Sequence, residues 1–366
     1  MINKVDKKNP LPRYLQVKQL LETRIRTGTY RPGARLPGER DLAHELGVSQ
    51  MTVNKGILAM VDAGWLYREQ GKGTFISDGF HPPLPETLHI GVVSRVDAGR
   101  MLEDYYLGSL FRGMRQAVSD APVMLSILGA KGFYSQPDDA SLDGYLLVDP
   151  LYGNVPDIHR LLDSGKRLVA VSAAWPEMQA PFVDSDNVGG TRAAVEHLLN
   201  LGHRRIAGVF TLSASSNARD RLYAYEAVLA ARSLCLPSDF TIATESSFSS
   251  AETRSDQVRS LLRRSDRPTA FFCAGYYSAL ETLDVIREAG QRVPEDVSLV
   301  AFDDPLSARH ITPPLTTVSQ PLDAMGRLAT EKLLKWLTYG EQPKRQDILP
   351  TELVVRGSTM PPPGGV

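Results

Sequence analysis

The sequence predicts an α/β protein in two parts: a small α+β head over residues 1–79 and a larger body over 88–366 built on doubly wound parallel sheets. Three observations carry this. Between Leu36 and Ile76 two short amphipathic helices and a Gly-hinged basic hairpin follow one another. From Leu88 onward, apolar runs alternate with amphipathic helical stretches, as in βαβ units. Between the two parts, residues 80–87 carry three prolines in eight positions, the composition of a short semi-rigid linker.

The composition is that of an ordinary globular protein. The chain has 366 residues, 42% hydrophobic and 23% charged, enough for two or three cores. The net charge of -1 hides an asymmetry: residues 1–80 hold 13 Lys/Arg against 8 Asp/Glu, and the remainder 28 against 34. A basic head on an acidic body suits a polyanionic partner for the head alone. Cys235 and Cys273 stand in apolar surroundings and read as reduced core thiols. Cys and His residues show no metal-ligand spacing, so neither a metal nor a cofactor is expected. The first residues lack the apolar core of a signal peptide, and no run is long enough to span a bilayer. The expectation is a cytoplasmic protein with no membrane partner.

In the head, Tyr14, Leu15, Val17, Leu20, Leu21 and Ile25 give one helical face over Tyr14–Arg26. Gly28 and Pro32-Gly33 then break the chain. A second helix starts at Pro37-Gly38-Glu39, runs to Leu46 and stops at Gly47, a candidate left-handed residue. Ser49 caps a third helix, with Val48 and Val53 as a hydrophobic staple. Val53, Ile57, Leu58 and Val61 form its inner face. Gln50, Met51, Thr52, Asn54 and Lys55 are left for the outer face and the helix start. The run 65–76 reads as a hairpin around Gln70-Gly71-Lys72-Gly73, with Lys72 at its tip. This order is a winged helix-turn-helix, whose second helix enters the major groove of double-stranded DNA. Gln and Asn amides can pair with adenine there, and Lys can reach guanine or phosphate.

Pro32-Gly33, the run Leu36–Ala43, Gly47-Val48-Ser49, Thr52-Val53 and the run Gly71–Phe75 together resemble the GntR family of transcription regulators, over about 65 residues. The resemblance implies DNA contacts from Arg35, Glu39, Arg40, Ser49, Gln50, Met51, Thr52, Asn54, Lys55, Lys72 and Gly73, and binding as a homodimer. Two departures stand out. Gln50 and Asn54 occupy positions where arginine is common in the family.

The body has strand candidates at 88–93, 123–128, 144–149, 167–172, 205–210, 270–274 and 297–302, apolar on both faces as buried parallel strands are. Helical stretches lie near 105–118, 155–164, 189–201, 217–233, 252–264, 278–289 and 322–338. About 270 residues imply two similar lobes rather than one sheet. Ligands bind such folds at the carboxyl ends of the strands. Those ends carry Ser94-Arg95, Asp149, Ser172 with Trp175, Tyr276-Tyr277 and Asp303-Asp304. Carboxylates with aromatic rings suit a hydroxylated small molecule. Phosphate loops and GxSxG elbows are absent. Asp303 and Asp304 are adjacent on an extended segment and point opposite ways, so they do not form a catalytic pair. No catalytic residues are assigned, and a non-enzymatic role is expected.

The runs Val183–Gly190, Glu196–Leu198, Leu201–Ile206, Val293–Asp304 and Pro313–Val318 resemble the effector-binding core of LacI/GalR-type regulators, which is periplasmic-binding-protein-like. Strand-end position and the resemblance together give an effector site of Arg95, Tyr106, Asp149, Trp175, Asp186, Arg221, Tyr276 and Asp303, the resemblance implying that Arg221 grips effector hydroxyls opposite Asp303. The resemblance also implies three interlobe crossings, near Asp186, Gln320 and Val355, and a dimer-forming lobe that contains the helix at 102–118. Gly275-Tyr276 replaces an Asn-Asp pair usual in the family.

A GntR-type head on a LacI-type core resembles the arabinose repressors. The reading is a repressor of a carbohydrate-utilisation operon, a homodimer on operator DNA, responding to a small-molecule effector, a sugar or derivative, in the interlobe cleft. The alternatives are a ligand-responsive activator and a sensor of a non-sugar such as a nucleoside. A transport binding protein would lack the head, and a sugar-modifying enzyme would need a catalytic constellation.

Overall fold

A computed structural model describes residues 5, 11–26, 29–31, 33–77, 87–96, 99, 104–135, 141–211, 214–244 and 251–363. Gly28, Pro32, nearly all of the proline-rich linker and the first residues of the expected 102–118 helix lie outside them. The chain divides into two compact units, Met1–Leu88 with Leu334–Gln342 and His89–Leu333 with Pro343–Val366. No helix among the described residues is long and apolar enough to cross a membrane.

The head contains α1 (Arg13–Arg26), α2 (Glu39–Leu46), α3 (Gln50–Asp62) and an antiparallel hairpin of β1 (Leu66–Glu69) and β2 (Gly73–Ile76). Gly47 ends α2 with φ +69°, and its N–H bonds the Ala43 carbonyl. Ser49 Oγ accepts from the Thr52 N–H at 3.2 Å and caps α3. Val48 and Val53 both join the head core with Leu21, Leu42, Leu46 and Trp65. The inner face of α3 differs from the expected one: Val53, Gly56, Ile57 and Met60 are buried, and Leu58 is 42% exposed. The buried set follows i, i+3, i+4, i+7, and Leu58 falls off that stripe. Gly56 lets α1 approach, since a Cβ there would lie 2.9 Å from Val17 Cγ1.

The body begins with β3 (Leu88–Ser94), α4 (Tyr105–Ala117), β4 (Val123–Gly129), a short α5 (Ala130–Ser135), β5 (Gly144–Val148), α6 (Val155–Asp163), β6 (Leu168–Val171) and β7 (Phe182–Ser185). Then follow α7 (Asn187–Asn200), β8 (Ile206–Thr211), α8 (Ser216–Ala231), β9 (Thr241–Thr244), α9 (Ala251–Leu262), β10 (Ala270–Cys273), α10 (Tyr276–Glu288), β11 (Ser298–Phe302) and β12 (Thr316–Ser319). The chain closes with α11 (Leu322–Tyr339), β13 (Gln346–Leu349) and β14 (Glu352–Val354). Two six-stranded sheets result, in the orders β13-β7-β6-β5-β3-β4 and β14-β12-β11-β10-β8-β9. Apart from the antiparallel β12–β14 pair, the body pairings recorded among the described residues are parallel. Each lobe has the 2-1-3-4-5 order, with its switch point between the first and third strands of the lobe.

The sequence reading foresaw seven strands of the body and missed β7, β9, β12, β13 and β14. These strands are only three or four residues long, and several carry polar side chains, so their apolar runs are weak. β4 is an edge strand, half-exposed along its length with Met124 51% exposed, not apolar on both faces as expected. Cys273 is buried, but Cys235 is exposed rather than in a core, because its neighbours Leu234 and Leu236 turn inward instead.

The chain passes between sheets after Ser185, after Ser319 and between Leu349 and Glu352; the last falls a few residues before the expected Val355. These crossings are laced together. The Asp186 N–H bonds the Leu349 carbonyl at 2.8 Å, Thr351 Oγ1 bonds the Asp186 carbonyl at 3.2 Å, and Ser185 Oγ bonds Gln320 Oε1 at 2.5 Å. In the first lobe α4 and α11 cross backbone to backbone. A Cβ on Gly113 would lie 1.9 Å from the Asp323 carbonyl oxygen, and one on Gly326 2.0 Å from that of Leu110. No side-chain rearrangement can relieve a clash with a carbonyl. Gly326→Ala should therefore destabilise the protein by at least ~2 kcal/mol, read as a lower urea midpoint; an unchanged midpoint would show that the helices can part freely.

Candidate nucleic-acid interface and ligand cleft

The exposed side of the head gathers Arg40, Gln50, Met51 and Lys55, with Met51 73% exposed. A groove of about 190 Å³ runs between Arg13, Tyr14, Met51, Thr52 and Lys55 at the start of α3. Asn54 is less free. Its amide donates to Glu39 Oε1 at 2.8 Å, and Arg68 Nη2 donates to the same oxygen at 2.8 Å. Glu39 thus ties α2, α3 and the hairpin together. At the wing, Lys72 pairs with Glu69 at 2.9 Å and remains largely exposed. Gly73 has φ +127°, and the Arg35 guanidinium lies so close that a Cβ would fall 2.8 Å from its Nε. Only glycine satisfies both conditions there.

The body's polar centre lies where the two lobes meet. Arg221, on the first turns of α8, is 7% exposed. Its Nε donates to Asn187 Oδ1 at 2.8 Å, its Nη1 to the Ala274 carbonyl at 2.7 Å, and its guanidinium lies 3.7 Å from the Phe302 ring centroid. A network continues from it across the lobes. Asn187 Nδ2 donates to Asn217 Oδ1 at 3.2 Å, and Asn217 Nδ2 donates to the Ser172 carbonyl at 3.2 Å. Tyr106 OH donates to Ser172 Oγ at 2.6 Å. Three more interlobe bonds accompany it: Tyr152 N–H to the Ala214 carbonyl, Ala174 N–H to Ser216 Oγ, and Arg219 Nη2 to the Ala174 carbonyl.

Carboxylates surround this cation. Asp149, at the end of β5, pairs with Arg95, which follows β3, so the pair straddles the first lobe's switch point. Asp303, at the end of β11, accepts from Gln320 Nε2, and Gln320 accepts from Ser185 at the hinge. Burial pushes both carboxyls up from their ordinary range; Arg95 and, more weakly, Arg221 pull Asp149 back down, while Arg221 and the Gln320 bond pull Asp303 down. Asp184 on β7 is 1% exposed. Burial holds its carboxyl up, to about 7, against a Ser185 N–H bond and the Arg221 charge. Asp149, Ser172 and Asp303 have φ of +46°, +62° and +76°, and they make up three of the four non-glycine residues with positive φ among those described. Such backbone is costly, and its concentration at strand ends in one cleft marks a functional region.

The other expected cleft residues are occupied differently. Asp186 caps α7 through the Gly189 N–H at 2.7 Å. Trp175 is 6% exposed, and its Nε1 donates to the Pro150 carbonyl at 2.9 Å; Tyr152 packs edge-on against it, and Arg219 lies over its ring. Tyr276 is buried, with its OH on Ser307 Oγ at 2.8 Å. Asp304 turns away from Asp303 to Arg356 and Thr317. The sequence reading gave no role to Asp184, Asn187 or Asn217. A charged residue inside an otherwise apolar strand was the available signal for Asp184; Asn217 carries none. A surface groove of about 390 Å³ runs between α7 and α8, lined by Val188, Arg192, Glu196, Tyr223, Ala227 and Arg232. None of the residues expected in the cleft lines it.

Residues 13–76 match the bacterial regulatory proteins of the gntR family, and residues 195–359 match the periplasmic binding protein-like domain. The chain is 29% identical over 371 residues to an arabinose metabolism transcriptional repressor of Geobacillus stearothermophilus, spanning 96% of this chain and 99% of that one. A repressor of the same name from Halalkalibacterium halodurans is 30% identical over 367 residues, 95% of this chain and 96% of its own. The chain belongs to this family of transcriptional repressors. A solved transcriptional regulator CelR–cellobiose complex superposes with TM-score 0.66 at 25% identity, over 88% of this chain and 100% of that one.

In the repressor, Asp184 binds a proton more tightly folded than unfolded, its carboxyl rising from 3.8 to about 7. The folded state therefore holds a proton that the unfolded chain has lost, and stability falls as pH rises through that window. Asp184→Asn should match the wild type in thermal unfolding at about pH 4 and exceed it at about pH 8, by a few kcal/mol at most, given ~1.4 kcal/mol per pH unit. Equal curves at both values would show that the carboxyl is not perturbed.

Proposed function

We propose that the protein represses a carbohydrate-utilisation operon, binding operator DNA as a homodimer through its winged heads and releasing it when a sugar closes the interlobe cleft. The observation that carries this is the chain of side-chain bonds from Arg221 through Asn187 and Asn217 to Ser172, which joins the lobes through groups a polyol could bridge or displace. The relatives' role in arabinose metabolism and the cellobiose in the CelR complex support a sugar as effector. Arg221 and Asp303 are the groups assigned to effector hydroxyls, with Arg95–Asp149 and Tyr106 beside them.

On the DNA side, Gln50 and Thr52 at the start of α3 face bases, and Arg35, Arg40, Lys55 and Lys72 face phosphate. Asn54 reads a base only after leaving Glu39, so its contact competes with an internal one. Half-site spacing is a geometric requirement of dimeric helix-turn-helix binding, so a small rotation between protomers lowers operator affinity. A coupling of ~1–3 kcal/mol, roughly 5–150-fold in affinity, gives a useful response.

Fluorescence anisotropy with the native promoter tests both halves. Addition of the cognate sugar should weaken binding within that range, and Arg221→Ala should bind operator but ignore the sugar. An Arg221→Ala protein that still responds would remove Arg221 from the effector site. Gln50→Ala with Asn54→Ala should lose sequence discrimination while circular dichroism stays native, the unfolding midpoint falling only by the lost Asn54–Glu39 bond, about 1–2 kcal/mol. Normal operator binding by that double variant would overturn the base-reading assignment.

A further inference from the structure

We propose that Asp184, together with the unpartnered oxygen of Asp149, forms a second hydroxyl-binding face of the cleft, one that admits an uncharged polyol and rejects phosphorylated or carboxylated sugars. This rests on the effector reading above and names the chemistry of the ligand.

Three buried side-chain oxygens or nitrogens have no hydrogen-bond partner among the described residues, and two are carboxylate oxygens of this cleft: Asp149 Oδ1 and Asp184 Oδ2. A buried carboxylate oxygen left without a donor is costly. Asp184 is 1% exposed on β7, which pairs with β6 on one side and the edge strand β13 on the other, where an apolar side chain would pack without that cost. Its Oδ1 takes the Ser185 N–H at 2.8 Å, and its Oδ2 is left over. The next side chain, Ser185, turns to the hinge and Gln320. Asp184 alternates to the other face. There its charge acts on groups from three other elements: Tyr106 of α4, Asp149 after β5, and Arg221 and Asp220 of α8. Those are the walls of the cleft.

The charge inventory selects the ligand. Asp149, Asp184 and Asp303 supply acceptors. Arg95 is engaged by Asp149, and Arg221 by Asn187, the Ala274 carbonyl and the Phe302 face. A hydroxyl offers the donors that the two oxygens lack. A phosphate or carboxylate brings further acceptors and negative charge against three carboxyls, Asp184 buried and Asp149 and Asp303 half-buried, at reduced local dielectric where like charges repel strongly. A hydroxyl donating to Asp184 Oδ2 favours the ionised carboxyl. Burial holds the unliganded group near neutrality, so ligand affinity should rise with pH through about 7.

Titration calorimetry on the full-length protein tests this, with L-arabinose, D-ribose and cellobiose against D-ribose 5-phosphate and L-arabinonate. The wild type should bind at least one neutral sugar, more tightly at about pH 8 than at about pH 6, and neither charged compound. Asp184→Asn, which keeps shape and removes the titration, should bind that sugar at least ~10-fold more weakly at about pH 8 and lose the pH dependence. Asp284→Asn, at an exposed surface carboxylate of α10 paired with Arg287, should keep both. If Asp184→Asn binds like the wild type with the same pH profile, while Arg221→Ala does not bind, the effector site stands and this face of it falls. Tight binding of a charged compound overturns the selectivity. Binding of no neutral sugar by the wild type overturns both this inference and the sugar reading.

Discussion

One buried guanidinium sets the terms for the cleft. Arg221 is surrounded by carboxyls that burial would otherwise force to neutrality, and its charge lowers Asp149, Asp184 and Asp303 together. A cation in this position must itself be satisfied, and it is: by an amide oxygen, a backbone carbonyl and an aromatic face. Those three partners come from α7, the end of β10 and β11. Each packed element thus reports to one side chain. Removing one member of such a buried arrangement leaves the rest uncompensated, which makes the cleft sensitive to what occupies it.

The hinge is built from the same parts. Asp303 is held by Gln320, Gln320 by Ser185, and Ser185 and Gln320 stand at two of the three crossings. The third crossing is joined to the first through Asp186 and Thr351. A change at Asp303 therefore reaches the backbone that links the lobes without an intervening loop. In the first lobe, the Gly113–Gly326 crossing packs α4 against α11 with no room for a side chain between them.

In the head, a carboxylate again does the organising. Glu39 accepts from Asn54 and Arg68, and so holds the start of α2, the outer face of α3 and the first strand of the wing. Among the described residues Gln50 has no such tether, and it stands exposed at the first position of α3. The two amides that replace common arginines are therefore unequal: one is presented to solvent, the other is an internal strut until something competes for it.

The sequence by itself determined the order of elements wherever local physics suffices. Gly47 and Ser49 bound the turn between α2 and α3, because a left-handed stop and a hydroxyl cap act within four residues. The long apolar strands were legible for the same reason. Short strands such as β7 and β12 were not, since neighbours distant in sequence supply their pairing and burial. The identity of Arg221 and Asp303 as a pair came from family resemblance; their environment came only from the tertiary structure. Asp184, Asn187 and Asn217 lie on β7, α7 and α8, and no spacing in the chain predicts that they converge. Only the folded lobes bring Asn187 onto Arg221, Asn217 onto Asn187 and the Asp184 carboxyl within the field of that cation, and only there does burial shift the carboxyl from its ordinary range.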